Sequence, residues 1–291
     1  MLFPFHPRRR RCCAIAFAAI TLSGAAAWPV FAGGLETVVV TASPPDPVGS
    51  DAFSVMRLNG ADLQSSQQLD VALEQVPGLS LYRRNSSLSA NPTVQGVSLR
   101  AIAPSGAGRA LVTLDGVPQN DPFGGWVIWS ALPPEDVASA EIVRGAGAGP
   151  YGAGALTGVI ALTEDAGSGL TRADASWGER ESGRAAAAGG AQWGPVSLFA
   201  SGAISSTAGW IAVSPAQRGA ADTPVTLNAR SASLRAESEV WSGTILSGRI
   251  GLYDEARHSG LQNTASEASG LSLSATLAHP AQTNAPGWRL Q

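Results

Sequence analysis

Residues Glu141 to Thr163 read EIVRGAGAGPYGAGALTGVIALT, two β-branched runs joined by a glycine-rich connection. Ile142-Val143 and Val159-Ile160 favour strands, and the glycines between them favour tight turns. Within the connection GAGPYG, Gly147 to Gly152, satisfies the dinucleotide pattern and follows a strand-like run. A phosphate-cradling loop must, however, open a helix whose N-terminus faces the anion. Ala153 to Thr163 instead carries Gly154, Gly158 and then Val159-Ile160, so the segment returns as a second strand and the nucleotide reading fails.

To either side, residues from about Asp51 to Asp165 alternate helical and strand signals over a length suited to one small, compact α/β unit. Leu69, Ala72, Leu73 and Val76 fall at i, i+3, i+4 and i+7, which predicts a helix with one buried face, stopped by Pro77-Gly78. Strands are expected at Thr93 to Arg100, Ala110 to Leu114, Ala140 to Arg144 and Val159 to Thr163. Asp115-Gly116 closes the second of these as a turn, and Pro134 opens a short helical turn before the third. The adjacent acids Glu135-Asp136 and Glu164-Asp165 read most simply as turn caps or solvated groups.

Beyond Ala166 the pattern changes to a period of two. Leu271, Leu273, Ala275 and Leu277 alternate with Ser272, Ser274 and Thr276, and Leu234, Ala236 and Val240 with Arg235, Glu237 and Glu239. Trp177, Trp193, Trp210, Trp241 and Trp288 sit near the ends of such runs, where a lipid-facing barrel places its aromatic belts. Alternation alone also fits a soluble β-sandwich with core tryptophans.

Upstream, Arg8 to Arg11 precede an apolar run from Cys12 to Leu22 and then small residues, the layout of a secretory signal peptide over 1–32, cleaved after Ala27 or, preferably, Ala32. That run is below the roughly 20 residues a spanning helix needs. Glu36 to Ser43, ETVVVTAS, is an extended segment, and Pro44, Pro45 and Pro47 make the linker to about residue 50 stiff. Such a segment suits strand addition to a partner.

Composition narrows the function. The 291 residues carry 19 basic residues, all arginine, against 22 acidic ones, with 44% hydrophobic and only 14% charged, which excludes a disordered chain. After residue 32 the balance is 15 basic to 22 acidic, which argues against nucleic acid as a partner. With both cysteines at 12 and 13, and His258 and His279 far apart, a zinc or thiol site has no ligands. No nucleophile-base constellation is evident either, so an enzyme is the weakest reading.

Taken in order, these motifs resemble a TonB-dependent outer-membrane receptor over about Glu36 to Thr163. ETVVVTAS is similar to the TonB box, LDVALEQVPGLSL (Leu69 to Leu81) and VQGVSLR (Val94 to Arg100) to the plug's first helix and strands, and ALVTLDGVPQNDP (Ala110 to Pro122) to a further plug motif. EIVRGAGAGPYGAGALTGVIALT resembles the plug's closing motif, with Arg144, Gly145, Tyr151, Gly152 and Gly158 at matching places beside Asp115 and Gly116. Thr157 departs from it, standing where the family usually has glycine.

The resemblance implies an α+β plug domain over 51–165 followed by antiparallel transmembrane β-barrel strands over 166–291. The barrel would be incomplete, since about 22 strands of about 10 residues need ~220 residues, and 126 follow from Ala166 onward. A truncated or fragmentary product is the simplest expectation, with a non-transporting surface-binding protein as the competitor.

By the same resemblance, Glu36, Thr37, Val38, Val39, Val40, Thr41 and Ala42 would bind TonB in the periplasm, with no resident cofactor or metal. Outer-membrane lipid would surround the strands, and an external small molecule such as a metal-siderophore complex would bind. Loops Tyr82 to Asn91, Ala101 to Gly108 and Gln119 to Trp129 would face that ligand, with Arg83, Arg84, Trp126 and Trp129 as contacts, although salt bridging and packing are the simpler roles for these side chains.

Overall fold

The computed structural model describes residues 54–81, 87–99, 110–145, 154–166, 169–279 and 287–291. All of them fall within one compact unit, residues 40–291. The first strand, β1 (Ser54–Asn59), runs into the short helix α1 (Gly60–Leu63). Asn59 and Asp62 make a reciprocal capping box: the Asn59 Oδ1 accepts from the Asp62 amide and the Asp62 Oδ2 from the Asn59 amide, both at 3.0 Å. Helix α2 (Leu69–Leu73) follows, and Leu69, Ala72, Leu73 and Val76 are buried as their spacing predicts. Gly78 takes φ +81 directly after Pro77, a left-handed residue that ends the turn.

A mixed sheet organises this part of the chain. Its strands are β4 (Ala110–Leu114), β5 (Val117–Pro118), β6 (Val137–Arg144) and β7 (Gly158–Glu164) with β1, in the order β1-β6-β7-β4-β5. β4 and β7 are parallel, whereas the other neighbours are antiparallel. Asp115 and Gly116, with φ of +49° and +82°, form the two-residue turn between β4 and β5, a conformation that suits the twist of a hairpin. Leu63, Leu69, Leu73, Leu99, Ile142, Ile160 and Leu162 are essentially inaccessible and pack as one core. Each such side chain contributes about 1.5–3 kcal/mol on burial.

One expected strand is largely corrected. Thr93 to Arg100 is not a continuous strand: Pro92–Val94 form a 3₁₀ turn, capped by Asn91 Oδ1 accepting from the Thr93 amide at 3.1 Å. Proline at the first position of that turn has no N–H to give a ladder. Only β3 (Val97–Ser98) pairs, with β2 (Ser80–Leu81).

From residue 169 the chain forms one antiparallel sheet in simple sequence order. Its strands are β8 (Gly169–Gly178), β9 (Ser182–Trp193), β10 (Val196–Trp210), β11 (Asp222–Trp241), β12 (Thr244–Leu261), β13 (Ala265–His279) and β14 (Trp288–Leu290). The sheet is open, with β8 and β14 at its edges. Across β11, β12 and β13, Leu234, Ile250 and Leu273 stand in register, as do Ala232, Leu252 and Leu271. These side chains share the outer face, where Leu252 is 52% and Leu273 71% exposed.

The opposite face covers the α+β unit, and Ala186, Ala188, Phe199, Leu227 and Ala229 are buried there. Trp193, Trp241 and Trp288 lie at one end of the strands and Trp177 and Trp210 at the other, as the positions of these tryptophans predict. Among the described residues no helix is long and apolar enough to cross a membrane.

Gly158 opens β7 at φ +143, and a Cβ there would run into the Val143 carbonyl oxygen and come within 2.7 Å of Leu99 Cδ1. Replacing Gly158 by alanine is expected to lower stability by about 1–3 kcal/mol, read as a lower denaturant midpoint at unchanged slope.

Candidate functional site

Arginines on the inner face of the long-stranded sheet converge on acids and carbonyls of the α+β unit. On β9, Arg184 donates to both carboxylate oxygens of Glu135, at 2.7 and 2.6 Å, and reaches Asp174 Oδ1 at 3.2 Å. Both members of the Arg184–Glu135 pair are at least 90% shielded, and the fork geometry makes two parallel charge-assisted bonds. On β8, Arg172 donates to the carbonyls of Glu135 and Val137 and pairs with Asp165 at 3.4 Å.

A second group lies around the end of β7. Arg249 of β12 donates to Glu164 Oε1 at 3.0 Å and stands 3.8 Å from Asp136 Oδ2. Arg235 of β11 lies between Asp115 and Glu164 at 3.7 and 3.8 Å and bonds Glu237 on its own strand. Arg289 of β14 donates to the Asp115 carbonyl at 3.0 Å, while the Asp115 carboxylate accepts from the Glu164 amide. Burial pushes the Asp136 carboxyl up to about 7 despite a Ser201 hydrogen bond, and the Glu164 charge adds to the rise. Glu164 is likewise raised, first by burial and against the pull of Arg249.

The third group fastens the segment after residue 87. Arg257 of β12 donates to the carbonyls of Ser87 and Ala90 and to Glu255, which in turn accepts from the Ser130 hydroxyl at 2.7 Å. From the other side, Asp70 of α2 accepts from the Ser87 amide and hydroxyl, both at 2.7 Å. Burial raises the Asp70 carboxyl, and those Ser87 bonds oppose the shift. Gln67 bonds Ser176 at 2.7 Å and Asn91 bonds Ser266 at 3.2 Å. These contacts lie toward the Trp177 end, and a cavity of about 260 Å³ opens there between Gln67, Leu88, Ser176, Ser205, Thr207 and Trp210.

Of the residues singled out in the sequence, Glu36 to Ala42, Arg83, Arg84, Tyr151 and Gly152 lie outside the described residues. Arg144 ties two elements together, donating to the Pro77 carbonyl at 3.0 Å and to the Ser54 hydroxyl at 2.6 Å. The Gly145 amide bonds the Thr157 carbonyl, closing the β6–β7 connection. Thr157 has its own use, since its hydroxyl accepts from the Leu99 amide at 3.1 Å. Trp129 is 2% exposed in the core, Trp126 is half-buried, and Phe123 in the same loop is 97% exposed.

Sequence reading missed the partners of Glu135, Asp136 and Glu164, which cap no solvated turn but face the sheet. Their signal was there in outline, as arginines alternating with apolar residues on β11 and β12.

Residues 50–159 match the family model for the TonB-dependent Receptor Plug Domain. Solved structures with the same fold include a mutant ferric enterobactin receptor PfeA of Pseudomonas aeruginosa in complex with enterobactin, with TM-score 0.56 and 15% identity over 78% of this chain and 39% of that one. The siderophore receptor PirA of Acinetobacter baumannii gives TM-score 0.58 at 15% identity, over 77% of this chain and 37% of that one. The copper transporter OprC gives 0.59 at 14%, over 77% and 34%. The chain thus spans about two fifths or less of the length of these structures. No curated protein matches it by sequence. Residues 50–159 accordingly form a plug domain of the TonB-dependent receptor type, and the long strands after them share the fold of these solved structures.

Replacing Glu135 by alanine leaves the buried Arg184 guanidinium with only the half-exposed Asp174 as a carboxylate partner and is expected to cost about 3–5 kcal/mol, whereas a joint Arg184→Met, Glu135→Leu replacement recovers most of it. Denaturant midpoints of the three proteins decide.

Proposed function

We propose that a chain built of a TonB-dependent receptor plug and barrel strands serves TonB-energised uptake of a scarce external ligand, such as a metal-siderophore complex, across an outer membrane. The observation that carries this reading is the plug match over residues 50–159, joined to a sheet whose outer face is apolar and bounded by tryptophans at both ends. Such a face fits lipid, with the tryptophans at its two interfaces. In this reading residues 1–32 direct export, and 33–50 carry the TonB box and its linker. The plug occupies 51–165 and the barrel strands begin at 166.

The mechanism follows from the order of these parts. Ligand binding at the Trp177 end, toward which Ser87, Asn91 and the 260 Å³ cavity lie, would be felt through the Asp70–Ser87–Arg257 connection. Arg83, Arg84 and Trp126 are the proposed ligand contacts. Trp129, enclosed in the core, serves by holding the loop that carries Trp126. Release of Glu36 to Ala42 lets its backbone add as a strand to TonB, and Pro44, Pro45 and Pro47 keep that handle extended so that a pull reaches the plug.

A second reading, a non-transporting surface-binding member of the same family, shares the same plug match and wall. Energised uptake of a ferric chelate by cells expressing the chain separates the two readings.

Deleting Glu36 to Ala42 is expected to abolish capture of the chain by the immobilised periplasmic domain of TonB, while leaving the denaturant midpoint unchanged. Undiminished capture would remove the TonB-box assignment.

A further inference from the structure

Asp136 and Glu164 meet the sheet with too few cations. Of the nearby wall arginines, Arg184 is committed to Glu135 and Asp174, and Arg172 to Asp165 and two carbonyls. Arg235 bonds Glu237 and approaches Asp115 as closely as it does Glu164. Arg289 spends its described bond on the Asp115 carbonyl. Two carboxylates are therefore left to share chiefly the one guanidinium of Arg249, which bonds Glu164 at 3.0 Å and stays 3.8 Å from Asp136.

The geometry records the shortage. Asp136 Oδ1, Glu164 Oε2 and Arg249 Nη2 are buried without a hydrogen-bond partner. From β10 and β11 only hydroxyls face Asp136, those of Ser201 and Ser233, which bond each other at 2.9 Å. Burying a carboxylate beside a second one without its own cation is costly, and taking up a proton removes that cost.

We propose that this cluster is a proton-linked latch: seating the Pro134–Asp136 turn of the plug against β12 takes up one proton from solvent, held on the Asp136 carboxyl, so that the plug sits tighter on the wall as the pH falls. The sign follows from linkage. A carboxyl that titrates near 7 when seated and near its ordinary 3.8 when exposed binds more protons seated than free between those values. Ion pairing alone would give the reverse, a contact that weakens on acidification. The latch concerns the plug and the wall alone, and stands whether or not the chain transports anything.

The test uses the full chain in detergent micelles, with hydrogen exchange of residues 134–140 corrected for the intrinsic pH dependence of the chemistry. Protection should rise about tenfold from pH 8.5 to pH 6, the ratio expected when seated and free values are about 7 and 3.8. Asp136→Asn should hold high protection at both pH values. The same dependence in Asp136→Asn, or protection that falls with acid in the unaltered chain, would overturn the latch. Infrared difference spectra of the unaltered chain refute the proposal outright if no buried carboxylic-acid band is present at pH 6. A band that appears below neutral pH and is lost in Asp136→Asn supports it, the loss being required because burial raises the Asp70 and Glu164 carboxyls too.

Discussion

A buried guanidinium must find acceptors, and a buried carboxylate must find donors. The charged contacts that join the two halves of this chain follow from that constraint. The inner face of the long-stranded sheet carries Arg172, Arg184, Arg235, Arg249, Arg257 and Arg289, each engaged with the plug. Some read carboxylates and others read main-chain carbonyls, so the contact fixes both the charge and the backbone course of the plug turns. Arginine suits this work because its planar fork stays charged and bonds two acceptors at once. The absence of lysine from the chain is consistent with such use.

The constraint also explains the composition of the strands. Each long strand serves two solvents, and alternation is how a strand does so. On β11 and β12, Leu234, Ala236, Ile250 and Leu252 face outward while Arg235, Glu237, Arg249 and Glu255 face the plug. Apolar side chains such as Phe199, Leu227 and Ala229 fill the space between the ion pairs, which keeps the pairs dry and therefore strong. Three fastenings result, one at Glu135, one around Glu164 and one at Ser87. The last couples the Trp177 end of the plug to β12 through Arg257 and to helix α2 through Asp70.

How much of this was legible in the sequence depends on whether the interaction is local. The Asp115-Gly116 turn, the buried face of Leu69 to Val76, the strand pair around Val143 and Val159, and the tryptophan positions were readable because each is set by nearby residues. Thr93 to Arg100 misled because a β-branched run masked the turn that Asn91 and Pro92 impose. The acids at 135, 136 and 164 were misread as solvated caps, since their partners lie on strands more than 40 residues away and no local signal names them. The capping box at Asn59 and Asp62 was local and could have been found.

The plug rests on the inner face of β8 to β14 in the register described. The only native cysteines are Cys12 and Cys13, so engineered pairs report this directly. Cysteines placed at 67 with 176, and at 91 with 266, replace side chains that bond each other at 2.7 and 3.2 Å and leave every ion pair intact. Both pairs should be joined readily in the folded chain by a short thiol-to-thiol cross-linker, which makes up the length that cysteine lacks relative to glutamine and asparagine, and not when 91 is combined with 176. Failure of the matched pairs, or equal cross-linking of the mismatched one, would contradict it.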